Sequence, residues 1–338
     1  MQLTTKILLV FFGMALSIAS CKKENAETPV AMSETPVVLD IPRFFPKMKI
    51  PDDNKMTEER LLLGRKLYYD PILSNDGRSC SSCHFQSKGF TTETIGTPIL
   101  PHINLGWNTN FLWRGEKQCS LEEMMLFEVE DFFGTNISKL NASAEYKLLF
   151  QKAYGIKNIT SQHVAYALAQ FFRTMISGNS RFDQYYRHEI SFTESERRGM
   201  DIFFSEKGDC FHCHGSILFT DNSFHNIGLD SVLSPANQGR YIITGKDADM
   251  GAYKTPTLRN CDLRTQFMHD GRFKTLEEVI DFYDSGFHQS SPNIDPLMLL
   301  PEKENGLQLT TQEKTDLLAF LRSLTDQTFI TNPALAKP

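Results

Sequence analysis

A five-residue pattern that occurs twice constrains this chain more than any other feature. Cys80-Ser81-Ser82-Cys83-His84 and Cys210-Phe211-His212-Cys213-His214 are both C-x-x-C-H, and they start 130 residues apart. From the chain's own Cys and His content, about 0.004 such patterns are expected by chance. The spacing has a chemical reason. Two thiols add across the two vinyl groups of one haem, and two intervening residues let both sulfurs reach the same porphyrin edge. The adjacent imidazole is then set under the iron. A Cys₄ zinc site could also be assembled from two C-x-x-C pairs, but zinc does not require a His after each pair. A thioredoxin-like dithiol would need a βαβ pattern around the motif, and neither copy has one. The expectation is two covalent c-type haems, attached at Cys80 and Cys83 and at Cys210 and Cys213. His84 and His214 are the expected iron ligands.

The remaining composition is that of a globular protein. The 338 residues are 41% hydrophobic and 22% charged, which excludes wholesale disorder and coiled coil. The length allows two domains, each with its own core. A net charge of −6 argues against a nucleic-acid partner. One long apolar run, Ile7–Ile18, follows Lys6. It is too short to span a bilayer comfortably and matches the core of a signal peptide. It ends in Ile18-Ala19-Ser20-Cys21, similar to the lipobox of bacterial lipoproteins, in which cleavage leaves an acylated Cys. We therefore expect a signal peptide at 1–20, export to the periplasm, and membrane attachment only through a lipid on Cys21. Residues 21–51 carry Pro29, Pro36, Pro42, Pro46 and Pro51. Each proline fixes φ and removes a donor, so this stretch reads as a stiff tether lying on the surface.

Helix signals dominate beyond the tether. Thr57 is placed to cap a helix through Leu67, and Thr160 or Ser161 to cap another bearing Val164, Leu168, Phe171 and Phe172. Thr193…Glu196, Thr275…Glu278 and Thr310…Glu313 are capping boxes. Strand-like alternation of any length is absent. The fold class is all-α, with an N-terminal haem domain at 52–190, a C-terminal haem domain at 191–330 and a tail at 331–338.

Family-specific strings flank the motifs. Leu63-Gly64-Arg65-Lys66-Leu67-Tyr68-Tyr69-Asp70 and Leu73-Ser74 precede the first. After the second come Leu218-Phe219-Thr220-Asp221, Phe224-His225-Asn226-Ile227-Gly228-Leu229 and Lys254-Thr255-Pro256-Thr257-Leu258-Arg259-Asn260. Met268-His269-Asp270-Gly271-Arg272-Phe273 follows. In order and spacing these strings resemble the bacterial dihaem cytochrome c peroxidases over roughly residues 56–330. The resemblance implies two cytochrome-c-like domains whose haems meet near the domain interface. It implies hydrogen peroxide as substrate and a small reduced cytochrome c or cupredoxin as electron donor. The haem on His84 would offer an open iron face, and that on His214 would store electrons. Tyr283, 14 residues beyond His269, holds the place of a Met ligand in ordinary peroxidases and of a Tyr in the related enzyme that matures methylamine dehydrogenase. Met268 is the other candidate ligand. Trp113, in Trp113-Arg114-Gly115, resembles the family's relay Trp between the haems.

The pattern also departs from the family. Aligned on Ser120-Leu121-Glu122-Glu123, the family's peroxide-positioning Gln falls on Met124 and its Glu on Gly134. Glu128, Glu130 and Asp131 are near, and Glu130 is the expected substitute acid. The family's interdomain calcium is not matched, with Gly96 near the Asn position and Arg264 and Gln266 near the carbonyl donors. Cys119 and Cys261 are left either as a disulfide or as two free thiols. The oligomeric state, a homodimer included, is open. The functional expectation is therefore a peroxidase. The alternatives are a non-enzymatic dihaem electron carrier, and an oxidase of a protein or organic substrate working through high-valent iron. Cys21→Ala should move the protein from the membrane to the soluble fraction after a salt wash, and retention in the membrane would refute the lipid anchor.

Overall fold

A computed structural model describes residues 32–92, 96, 98–299 and 306–338. Cys21, the signal segment and the first part of the tether lie outside the described residues. Among those described, no helix is long and apolar enough to cross a membrane.

Six helices carry the frame: α1 (Glu58–Tyr69), α2 (Leu121–Phe127), α3 (Ser161–Thr174), α4 (Glu194–Phe203), α5 (Leu276–Asp281) and α6 (Thr311–Arg322). Their starts follow from side-chain chemistry. Thr57, Ser120, Thr160, Thr193, Thr275 and Thr310 each accept a hydrogen bond from a first-turn backbone N–H. This satisfies a donor that the helix itself leaves open. The strands described are two-residue pairs, Asn110–Phe111 with Lys117–Gln118 and Phe224–His225 with Tyr253–Lys254, both antiparallel.

Residues 31–338 form one compact unit holding two hydrophobic clusters. The first gathers Leu63, Leu67, Tyr68, Leu168, Phe171 and Phe172. The second gathers Phe203, Phe219, Leu317, Phe320 and Leu324. The same helix crossing builds both. A Cβ on Gly64 of α1 would lie 1.9 Å from the Ala167 carbonyl oxygen of α3, and a Cβ on Gly199 of α4 would lie 1.9 Å from that of Asp316 in α6. Only glycine lets the two backbones approach so closely. The likeness continues through the loops. Asn104 and Asn260 share φ 57°, Leu112 and Met268 share φ 65°, and Gly115 and Gly271 follow three residues later at φ 66° and 71°. Helices α2 and α5 both run on into a π-helical turn, Glu128–Phe132 and Phe282–Gly286.

Both ends of the described chain pack on the core. The Pro-rich segment is more than a surface tether, because Phe45 and Met48 are 7% and 4% exposed and the Trp107 indole donates to the Pro46 carbonyl at 2.8 Å. The last residues are anchored as well. Phe329 and Leu335 join the first cluster, and Tyr69 Oη donates to the Leu335 carbonyl at 2.6 Å. Gly64→Ala and Gly199→Ala should each cost about 2 kcal/mol or more, because the clash is with backbone and not with a side chain that can swing away. A thermal midpoint equal to the parent's in either variant would contradict the close-crossing account.

Candidate haem sites

Each C-x-x-C-H motif is followed by a bulky residue in the left-handed backbone region, Phe90 at φ 56° and Phe219 at φ 53°. That geometry turns the carbonyl back toward the motif. His84 Nδ1 lies 2.8 Å from the Phe90 oxygen, and His214 Nδ1 lies 2.9 Å from the Phe219 oxygen. A neutral imidazole must donate through Nδ1 to make this bond, which leaves the Nε2 lone pair for iron. Burial lowers both imidazoles to about 4, so both rings are neutral at physiological pH.

A cavity lies beside the second motif, lined by Cys210, Cys213 and His214 from the motif and also by Met268 and Tyr283. Trp113 also lines it and is fixed by its indole N–H to the Pro98 carbonyl at 3.0 Å. His269 stacks on Tyr253 at 3.5 Å between centroids, and its Nε2 is buried without a hydrogen-bond partner. Two thiols, a poised imidazole and an orphaned polar nitrogen around one cavity fit a covalently attached haem. Tyr283 sits in the π-helical turn, and burial, then the neighbouring Cys213 and Cys210, raise its phenol well above the usual range. Met268 lies in a turn whose counterpart in the first half is Leu112, with the same φ. That match assigns the Met268 backbone a structural role independent of any ligand function.

At the first motif, Cys80 is buried and Cys83 partly so. Burial, then the charge of Glu128, holds the Cys80 thiol well above its ordinary value, so the Glu128 carboxylate is a near neighbour of the motif. Glu128 is the eighth residue after the Ser120 cap, as Tyr283 is after the Thr275 cap. Burial pushes its carboxyl up to about 7. Glu130, the acid expected from sequence, is exposed, because the turn sends residue 128 inward and residue 130 outward. Helix α2 is held by a buried pair, Glu122 to Arg173 of α3 at 2.6 and 2.8 Å. Met124 is core, 4% exposed. Gly134 takes φ 55° at the end of the turn.

Sequence reasoning left His102 and His225 without a role. His102 stacks on His84 at 3.3 Å, with 12° between the rings, and its Nδ1 lies 3.1 Å from Tyr68 Oη. His225 lies beside Cys213 and is gripped by Asp221 at 2.8 Å and Asp295 at 2.5 Å. These bonds raise it to about 12. The signal for His225 was its place in the Phe224–Leu229 string, whereas nothing local marks His102. Cys119 and Cys261 are not bonded to each other. At the suggested calcium positions, the Gly96 N–H donates to Gln266 Oε1 at 2.6 Å.

Comparison with known proteins places the chain in a family. The di-haem cytochrome c peroxidase family model matches residues 58–191. The methylamine utilization protein MauG of Methylorubrum extorquens is 30% identical over 94% of this chain and 92% of its own length. The cytochrome c551 peroxidase of Nitrosomonas europaea is 31% identical over 70% of this chain and 74% of its own. Among solved structures, a MauG-like protein associated with microbial copper homeostasis superposes with a TM-score of 0.81 at 33% identity, covering 88% of this chain and 98% of that one. The chain belongs to the di-haem cytochrome c peroxidase and MauG family. The family is periplasmic and implies two c-type haems, and its cytochrome c peroxidases imply peroxide and a cytochrome c donor.

Tyr283→Phe keeps the ring and removes the oxygen. If Tyr283 holds the second iron, the low-spin ferric signal of that haem should turn high-spin or change its ligand set, with two haems per chain retained. An unchanged spectrum would assign the ligand to Met268.

Proposed function

We propose that this protein is a periplasmic dihaem peroxidase that reduces hydrogen peroxide to water, with Glu128 as the proton-handling group. Cys80 and Cys83 would attach the first haem, with His84 beneath its iron. Cys210, Cys213 and His214 would hold the second, with Tyr283 as the candidate further iron ligand. The first haem, when bound, supplies the iron at which peroxide is cleaved. The observation that carries the reading is the half-buried Glu128 carboxylate close to Cys80, in the place where the second half has Tyr283.

Reduction of peroxide consumes two electrons and two protons and releases two waters. Heterolysis needs a group that takes the proton from one peroxide oxygen and delivers it to the other. A carboxyl raised to about 7 does both at physiological pH, since neither state is far from the other. The same shift has a stability consequence. The protonated form is favoured in the fold, so its contribution is complete below the ordinary carboxylate value near 4.5 and is lost as pH rises through about 7. Phe90 fixes the His84 ring so that its Nε2 stays on one side, while Glu122 and Arg173 hold the helix that leads to Glu128. Trp113, lining the second cavity, is the proposed relay between the halves. Electrons would come one at a time from a small reduced cytochrome c or cupredoxin. Export with a lipid on Cys21 would place the protein on the periplasmic face of a membrane.

A second reading, oxidation of a protein or organic substrate, is favoured by Tyr283 in the second cavity and by the likeness to MauG across 94% of the chain. Both readings use the same proton chemistry at the first motif. Glu128→Gln should lower peroxide turnover with reduced cytochrome c by about 10²–10⁴-fold and remove the inflection near pH 7, with haem spectra unchanged. Glu130→Gln should behave as the parent. The assignment fails if Glu128→Gln turns over normally or if Glu130→Gln is the damaging change.

A further inference from the structure

Among the described residues, two cationic side chains that line the second cavity form no ion pair. Lys254 is 4% exposed and lines the cavity. Its Nζ donates to the Thr255 carbonyl at 3.2 Å, and Asp221 attracts it without forming an ion pair. Arg264 lines the same cavity and donates through Nη2 to the Thr257 carbonyl. Cys261 lies beside it, and burial holds that thiol in its neutral form. The other arginines of this half are paired: Arg197 with Asp201, Arg198 with Asp316, Arg240 with Asp249, Arg259 with Asp183, Arg272 with Asp230 and Asp270, and Arg322 with Asp262. A buried cation without a counter-ion is costly, and an anion brought to it relieves that cost. Burial accordingly lowers Lys254 to about 8 and lowers Arg264 from its ordinary value.

The first half has no such pair. Matching Asn104 to Asn260, Leu112 to Met268 and Gly115 to Gly271 sets Pro98 and Asn108 against Lys254 and Arg264. The two charges therefore belong to the second site and not to the shared frame. A c-type haem uses both vinyl groups in its thioether bonds and keeps two anionic propionates as its peripheral charges.

We propose that Lys254 and Arg264 are the counter-ions of the two propionates of the haem attached at Cys210 and Cys213. The inference rests on the haem reading of that motif and goes beyond it by assigning the orientation of the group and a control of its potential. Both are positioning residues. The propionates would meet Lys254 and Arg264, and this positive charge would favour the reduced state of the electron store. Removing either charge leaves a propionate uncompensated, which stabilises the oxidised iron.

The test uses the haem-loaded protein and a spectroelectrochemical titration that resolves both haems, after a pyridine haemochrome assay of haem content. Lys254→Met and Arg264→Met should retain two haems. At fixed potential, each should shift the oxidised-to-reduced ratio of the C-terminal haem about tenfold toward oxidised, with the N-terminal haem unmoved. Lys254→Arg and Arg264→Lys should titrate as the parent. Loss of the C-terminal haem in the Met variants alone, with the conservative variants intact, would also support the charge pairing. The proposal is overturned if the Met variants titrate as the parent, or if the conservative variants shift or lose haem as the Met variants do. A parent with one haem per chain would instead fault the haem reading itself.

Discussion

In each half, one backbone carbonyl decides what the haem motif can do. The oxygen of Phe90 accepts from His84 Nδ1 and also from the His102 N–H. The oxygen of Phe219 accepts from His214 Nδ1 and from the Leu258 N–H. Both phenylalanines adopt positive φ, which costs energy for a bulky residue. The cost is borne because each ring is buried at 0% exposure in its cluster. Core packing thus holds a strained backbone, the backbone holds a carbonyl, and the carbonyl holds the imidazole with one nitrogen free for iron. Without that chain of constraint the two thiols would anchor a haem whose axial ligand could rotate away.

The two halves share this frame and differ where chemistry requires it. Inward from the π-helical turn stands Glu128 in one half and Tyr283 in the other. At the turn before Gly115 and Gly271 stand Trp113 and His269. Where His102 stacks on His84, the equivalent position in the second half is Leu258. A carboxyl that titrates near neutrality suits proton transfer, whereas a phenol buried among apolar side chains suits a fixed ligand or a packed wall. Division of labour between two similar sites is therefore written in a few side chains on one repeated scaffold.

Much of this was legible in the sequence, because some signals are local. The C-x-x-C-H motifs and the caps at Thr57, Thr193, Thr275 and Thr310 depend on residues a few positions apart, and the structure has each cap where it was read. What failed was register. Glu128, Glu130 and Asp131 are equivalent as letters, and only the π-helical turn decides that Glu128 faces inward. The internal repeat was also hidden. The separation between equivalent residues is 130 at the haem motifs but 156 at Asn104 and Asn260, so no fixed period exists to be found. The anchoring of Phe45 and Met48, and the stack of His102 on His84, are long-range packing events that no window of sequence reports.

The central claim is that two dissimilar haem sites act as one two-electron device on peroxide. Anaerobic titration of the fully reduced protein with hydrogen peroxide, followed in the visible spectrum, tests it most directly. One equivalent should oxidise both haems, one electron from each, with the spectrum saturating at that ratio. Oxidation of only one haem per equivalent, or no oxidation at stoichiometric peroxide, would contradict it.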